Sequence, residues 1–522
     1  MLVGEGMQVF SFVAAGFEGH LIGVEVYIRR GIPAVDIVGL PDGAVREARE
    51  RIRVAILQSG FQFPSGRILI NMAPADIRKE GASFDLSLAV AVLVASGQIT
   101  KKSDNELQDD KWLVLGELEL SGRLRPVKGT LSAVSAALKG GIRKFLLPLD
   151  NCGEAISAGA VDIIPLSHLN ELNDLLSMRN KPAQQCIQLK VKQNFEQPTS
   201  PDIKDLKGQA ALKRALMVAA AGGHHMLLFG PPGSGKTLAA TMLEGLLPDL
   251  EDDRSFEVSR IWSQAGKLGP GGGILRRPPF RAPHHSATLE GLIGGGIQIS
   301  PGEISLAHGG VLFLDETPEF QGRILQCLRE PLESGKVTIV RAGKSYWYPS
   351  DFQLLMAANP CPCGNMGRGD SVCICSPLEV SRYWKKIGGA LMDRIDIRMP
   401  VDTVKAEVLL TRSSESSADL RVKIDEAVRR QKRRYAPIGI HRNRSLTGAM
   451  IQEFCPLSKE LQDYFALMAR KIGFSSRACH SVLKVARTIA DLAEHEQIQQ
   501  EDLEEAGQYR RYGDSSLFWN EG

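Results

Sequence analysis

The feature that constrains this chain most is an eight-residue stretch, Gly230-Pro231-Pro232-Gly233-Ser234-Gly235-Lys236-Thr237, set between the apolar run His225–Phe229 and the helix-forming Leu238-Ala-Ala-Thr-Met-Leu243. A strand that enters G-x-x-x-x-G-K-T and leaves as a helix is the context in which that spacing cradles phosphate. The glycines let successive backbone N–H groups turn inward, and the helix N-terminus favours negative charge. Lys236 is placed to reach the β- and γ-phosphates, and Thr237 to help hold Mg²⁺. ATP and Mg²⁺ are therefore the expected cofactors of these eight residues.

Downstream, Gly310-Val-Leu-Phe-Leu-Asp315-Glu316 is an apolar strand ending in two acids, the pattern of a Walker B element. Asp315 is expected to hold the Mg²⁺ shell and Glu316 to polarise the attacking water. A third apolar strand, Phe352–Ala358, ends at Asn359, whose amide is suited to orienting that water. A turn asparagine ahead of Pro360 is the plainer alternative.

A chain of 522 residues has room for roughly three domains. Apolar residues at 43% and charged residues at 24% are those of ordinary folded protein. Residues 1–179 alternate short β-branched runs (GVEVYI, AVDIVGL, RILINMA, KFLLP) with helical stretches such as Ala44–Leu57 and Leu86–Ala95, and read as an α/β domain. Residues 180–205 are polar and proline-bearing, a linker. Residues 206–400 hold the P-loop core, with a glycine-rich insertion between Gly266 and Gly296. Residues 401–522 read as an all-helical lid, most clearly over 475–495. The fold class is thus multidomain α/β.

The net charge of +3 shows no general excess of positive charge, so any nucleic-acid contact rests on local basic clusters. The first residues lack a basic stretch followed by an apolar one, and no run reaches about 18 apolar residues. A cytoplasmic location without membrane contact is expected.

Four of the nine cysteines fall close together: Cys361-Pro-Cys363 and, nine residues on, Cys373-Ile-Cys375. Such a cluster points to a local metal site in a reducing compartment rather than a disulfide framework. Four thiols on two arms suffice for a closed, structural Zn²⁺ site. The arms are tighter than C-x₂-C, and redox-active or reduced thiols are the alternative. The other five cysteines read as small buried hydrophobes.

Three basic stretches are candidates for phosphate contact. One is the insertion, with Arg276-Arg277, Arg281 and His284-His285. Another is the strand–turn–strand Val337–Tyr348, with Arg341, Lys344 and adjacent aromatics. Basic tips beside aromatics suit phosphate contact and base stacking. The third is Arg429-Arg-Gln-Lys-Arg-Arg434 on a helix, a pattern more usual for a solvated face.

The stretches RAPHHSA, PGEISLAH and NPCPCG, in that order around the two Walker elements, together with Leu391-Met-Asp-Arg394-Ile-Asp396, resemble the magnesium-chelatase-like AAA+ family known as YifB or ComM. The resemblance runs nearly end to end. It implies a ring, most often of six copies, and in ComM a DNA motor that drives branch migration during uptake of transforming DNA. It implies the sensor-1 role for Asn359, an arginine finger reaching from a neighbouring subunit for Arg394, and the sensor-2 role for Arg477, with Arg382 and Arg329 as substitutes. A guanidinium offers bidentate charge to a developing phosphate anion, which makes these roles chemically sensible.

The first domain resembles the ribosomal-S5-type fold shared with Lon proteases. Lys79-Glu-Gly-Ala-Ser83 is similar to the loop carrying the nucleophile there, but an ungapped reading places Leu131 at the general-base lysine, with Lys128 one turn away. A serine without a base is a poor nucleophile, so Ser83 is expected to be a structural or a helix-capping residue just before Leu86–Ala95. The expected function is an ATP-driven motor on branched or single-stranded DNA. A protein-remodelling or chelatase-accessory ATPase is the alternative, and a Lon-like protease a third.

Overall fold

The computed structural model describes residues 7–99, 111–172, 201–269, 272–296, 299–341, 343–368, 371–404, 407 and 415–512. Most of the expected linker, up to residue 200, lies outside them. At its end Ile203 is fully buried and donates its N–H to Ser417 Oγ at 2.8 Å, while Ser417 N donates to Asp202 Oδ1 at 2.9 Å.

The alternating apolar runs near the N-terminus form a mixed seven-stranded sheet. Its strands are β1 (Gln8–Ala15), β2 (Glu18–Arg29), β3 (Ala34–Val38), β4 (Arg67–Ala73), β5 (Lys111–Val114), β8 (Lys144–Pro148) and β9 (Asp162–Leu166), in the order β3-β4-β2-β1-β5-β8-β9. A small ribbon, β6 (Glu117–Leu118) with β7 (Leu124–Arg125), stands beside it. Strand β2 pairs antiparallel with both β1 and β4, so Val24, Val26 and Ile28 fall on one face by the two-residue period. That face is covered by helix α1 (Gly43–Gln58), capped by Asp42 Oδ1 accepting from Val45 N at 2.8 Å, and by α2 (Asp85–Ala95), buried on nearly all sides. Asp85 in the first turn of α2 has no exposed side-chain surface and is held by Arg51 through two bonds of 3.0 Å.

Of the two roles expected of Ser83, structural or helix-capping, the cap is not made. Ser83 lies in a 3-10 turn, Ala82–Phe84, and α2 has no side-chain cap; Ser83 instead offers its carbonyl to Gly116 N at 3.1 Å.

The second sheet is wholly parallel: β10 (Met226–Phe229), β11 (Phe280–Arg281), β14 (Val311–Leu314), β17 (Gln353–Ala358) and β18 (Ile397–Pro400), ordered β11-β14-β17-β10-β18. Its central strands are apolar runs, Gln353 at the start of β17 excepted, because helices cover both faces. Helices α3 (Thr130–Lys139), α4 (Ala210–Gly222), α5 (Lys236–Leu246) and α6 (Asp252–Gln264) matter most below. Two ribbons rise from this core: β12 (Gly294–Gly295) with β13 (Ser300–Pro301), and β15 (Lys336–Arg341) with β16 (Lys344–Pro349). The described residues from 415 onward are helical, chiefly α7 (Ser417–Tyr435), opened by a Ser416–Asp419 capping box, and α8 (Ser476–Leu492), capped by Ser475. No helix among the described residues is long and apolar enough to cross a membrane.

The N-terminal sheet is docked on the core through α3 and α6. Gly129 N donates to Ser263 O at 3.0 Å, and Ser263 Oγ donates to the buried Glu154 carboxylate at 2.5 Å. Leu131, at the position where a protease base was sought, is fully buried here, its N–H directed to Glu154 and Ser263; Lys128 is exposed, its stem lying over Gly266.

Candidate nucleotide site

Strand β10 delivers the chain into the glycine-rich loop, and α5 begins at Lys236. Gly233 and Gly235 adopt φ of +78° and +92° with open space where a Cβ would stand. Backbone N–H groups can therefore line the cradle without side chains in the way. Lys236 is buried, and its ammonium donates to Gly230 O at 2.7 Å, Pro231 O at 2.9 Å and Asn359 Oδ1 at 3.2 Å. Burial holds its pKa below the usual lysine value, against the pull of the Asp315 and Glu316 carboxylates.

β14 and β17 lie side by side in the sheet, which brings their C-terminal ends to this loop. Thr237 Oγ1 donates to Asp315 Oδ2 at 2.7 Å. Glu316 stands in the left-handed region, φ 48° and ψ 44°, a conformation unusual for a residue with a Cβ and enriched at functional sites. Its carboxylate is exposed, with His285 Nδ1 3.8 Å away, and His285 packs against His284 at 4.1 Å. These residues have the donors, charges and open cradle that a Mg²⁺-bound nucleotide requires.

Arg394 is placed differently. Its side chain is almost fully buried, donating to Ala390 O and pairing with Glu333. Burial, and then the charges of Arg477 and Arg329, bring its pKa down to about 10. The charges of Arg477 and Arg329 thus bear on Arg394, itself paired with Glu333, and among the described residues none of the three bonds to the phosphate loop or to Asp315, Glu316 or Asn359. Arg477 is exposed at the start of α8.

The four clustered cysteines follow Asn359 directly. Their sulfurs all lie within 4.8 Å of one another, with Cys361–Cys363 at 3.4 Å, Cys361–Cys373 at 3.6 Å and Cys363–Cys373 at 3.7 Å. Four thiolates about 2.3 Å from a zinc ion stand about 3.8 Å apart, so the set fits a tetrahedral metal. The Asn365 N–H draws the Cys363 thiol down to about 6, while burial pushes Cys361 up to about 12. A Cβ on Gly364 of this loop would stand 2.8 Å from Pro232, so the cysteine loop rests on the phosphate loop. Of the scattered cysteines, Cys152 and Cys455 are buried as expected, although Cys152 is disulfide-bonded, while Cys327 and Cys479 are half-buried and free.

Two of the basic stretches are paired in part within the structure, while Arg277 and Arg433 stay exposed. Arg281 forks onto Glu303 at 2.5 and 2.7 Å, and Arg276 pairs with Asp252. In α7, Arg434 pairs with the buried Asp491, Arg430 with Glu494 at 2.9 Å and Lys432 with Glu251 at 2.6 Å. The β15–β16 ribbon keeps Arg341 and Lys344 exposed at its tip, and Trp347 is 40% exposed.

Two residues carried no sequence signal. Gln209 Nε2 bridges Ser234 O at 3.0 Å and Asp402 O at 3.1 Å, tying the phosphate loop to the exit of β18. Arg510 donates to the carbonyls of Ile395 and Asp393, gripping the turn that carries Arg394. Both act on carbonyls remote in sequence, which no local pattern announces.

The parallel sheet and the joined loop, Asp315 and Asn359 define a P-loop core of the magnesium-chelatase kind. Models of that family match in three stretches: magnesium chelatase subunit ChlI over 202–409, subunit ChlI of Mg-chelatase over 24–151, and the ChlI C-terminal region over 414–510. The chain is 38% identical to the YifB protein of Salmonella typhimurium over 508 residues, 96% of each chain. It is 37% identical to the competence protein ComM of Haemophilus influenzae over 506 residues, 96% of this chain and 97% of that one. The magnesium-chelatase 38 kDa subunit of Rhodobacter capsulatus is 28% identical over 171 residues, 29% of this chain and 48% of that one. The chain belongs to the YifB/ComM family of magnesium-chelatase-like AAA+ proteins, a family that implies ATP and Mg²⁺.

Proposed function

We propose that the chain hydrolyses Mg²⁺-ATP within a ring of identical subunits, six by family resemblance, and uses the cycle to move along single-stranded or branched DNA, promoting branch migration in recombination or natural transformation. The observation that carries this reading is the meeting of Lys236, Thr237, Asp315 and Asn359 at one point of a core that also raises a ribbon with a basic, aromatic tip. The ComM relative's name, a competence protein, agrees with it.

Bound Mg²⁺-ATP supplies a metal-neutralised γ-phosphoryl group. The residues Gly230 to Thr237 hold its phosphates, and Thr237 and Asp315 orient the metal. Glu316 draws the proton from the attacking water while Asn359 fixes that water's direction. Arg477, exposed at the start of α8, and Arg394, on release from Glu333, meet the nucleotide of the neighbouring copy and stabilise developing charge there. The four cysteines hold a structural Zn²⁺ that braces the loop after Asn359. We assign 1–179 to an S5/Lon-like domain, 206–400 to the ATPase core and 401–522 to a helical lid. A Lon-like protease is disfavoured because a buried leucine, Leu131, stands where the base is needed.

The test is steady-state ATP hydrolysis with no DNA, with single-stranded DNA and with a four-way junction, beside a Glu316→Gln control. Stimulation that the control abolishes supports a DNA motor. Glu316-dependent hydrolysis indifferent to both DNAs overturns that reading in favour of protein remodelling, with chelatase assistance the related alternative.

A further inference from the structure

An isolated two-stranded ribbon is at best marginally stable, so the direction of β15–β16 has to come from what backs it. Part of the backing is local: Tyr348 is buried and donates to Ile299 O at 3.3 Å. The core adds more, since Val337 is buried in it and Ile339 packs against it, and a further part comes from the N-terminal sheet. At the β1–β2 turn, Phe17 N donates to Trp347 O at 2.8 Å, and the two rings lie 5.4 Å apart at a tilt of 50°. Gly16, at φ +69°, comes so close that a Cβ there would stand 2.8 Å from Trp347 O and 2.9 Å from Trp347 N. Only glycine permits both the backbone angle and the approach.

The opposite side of Phe17 is gripped by the core. The Arg260 guanidinium lies 4.1 Å from the Phe17 ring centroid and donates to Phe17 O at 2.9 Å, and Gln264 donates to the same carbonyl at 3.3 Å. Phe17 is 5% exposed and joins Ile261, Leu306 and Tyr348 in a small apolar cluster separate from the cores of either sheet. An aromatic side chain from the N-terminal sheet is thus wedged between the β15–β16 ribbon and α6 of the core. A ring stacked under a guanidinium, with its carbonyl accepting twice, is a directional contact rather than a greasy one.

We infer that Phe17 is a positioning residue: through it the N-terminal sheet sets the angle at which the ribbon presents Arg341 and Lys344 to DNA. The inference rests on the reading that the ribbon binds DNA. It gives the N-terminal sheet a part in DNA engagement without any contact to DNA of its own.

The test uses full-length protein and the Phe17→Ala variant, with Phe17→Leu, which keeps apolar volume but no ring, where alanine fails to fold. Three quantities are read: ATP hydrolysis without DNA, the single-stranded DNA concentration giving half-maximal stimulation, and hydrogen exchange of the 336–349 ribbon. The expected result is basal kcat and KM for ATP within about twofold, a half-saturating DNA concentration raised about tenfold, and faster exchange in the ribbon. A ribbon that exchanges as in the wild type, or one that loosens with no change in half-saturation, overturns the inference. If wild-type hydrolysis ignores DNA, the motor reading fails by itself, and faster or unchanged ribbon exchange still decides whether Phe17 positions the ribbon.

Discussion

Thr237 and Asp315, 78 residues apart in sequence, share a hydrogen bond of 2.7 Å. The hydroxyl and the carboxylate that a magnesium ion would bridge are therefore aligned by the fold. Glu316 beside them, in its left-handed conformation, keeps an exposed carboxylate with His285 Nδ1 3.8 Å away.

Glu316→Gln keeps the shape of that residue and removes its basicity. ATP binding should persist while kcat falls by at least about 10²-fold. Nucleotide titration beside steady-state hydrolysis checks this, and a variant that turns over normally removes Glu316 from the role.

Arg394→Ala should lose about 10³-fold in kcat with ATP binding intact, because an arginine acting across an interface serves only its neighbour's nucleotide. Mixing it with Lys236→Ala, itself unable to bind ATP, should restore part of the activity in mixed rings. Absence of any recovery on mixing would count against action between subunits.

Purified protein should carry about one zinc ion per chain. Cys361→Ser should lower the metal content and, through the Gly364 contact with Pro232, weaken nucleotide binding. Elemental analysis and a melting curve with and without a chelator measure both effects.

Glu154 is buried, and desolvation raises its pKa despite the bonds from Ser263 and Leu131. A carboxyl raised in the folded state contributes stability that is whole below the unfolded pKa and is lost as pH rises through the folded one. Glu154→Gln should therefore gain in melting temperature relative to the wild type as pH rises from about 4 to 8. A difference that is flat with pH would show that the carboxylate is not strained by burial.

Lys344→Ala should weaken DNA binding and reduce the salt slope by about one. Arg281→Ala should leave that slope alone and lower stability instead, since Arg281 is committed to Glu303. Binding measured at several salt concentrations separates the two.

The nucleotide site was legible because its parts are local patterns. The loop, the strand ending in Asp315-Glu316 and the strand ending at Asn359 each carry their meaning within about ten residues. The helices at 44–57, 86–95 and 475–495 were legible by period, and the structure gives Gly43–Gln58, Asp85–Ala95 and Ser476–Leu492. What sequence could not supply was pairing at a distance. Nothing near Arg281 or Arg434 announces Glu303 or Asp491, so both looked like free charge. Nothing near Phe17 announces Trp347, and the missing cap at Ser83 reflects a 3-10 turn that local propensity does not distinguish from a helix start.

The glycines of the phosphate loop answer to two different masters. A Cβ at Gly230 would stand 2.0 Å from Val401 O, whereas Gly233 and Gly235 face open space. Position 230 is closed by the neighbouring strand's exit, whatever the loop binds, while positions 233 and 235 are constrained by backbone angle and by the ligand that would fill the gap. Alanine at 230 therefore interrogates assembly of the sheet, and alanine at 233 or 235 interrogates the cradle, so one motif contains its own control.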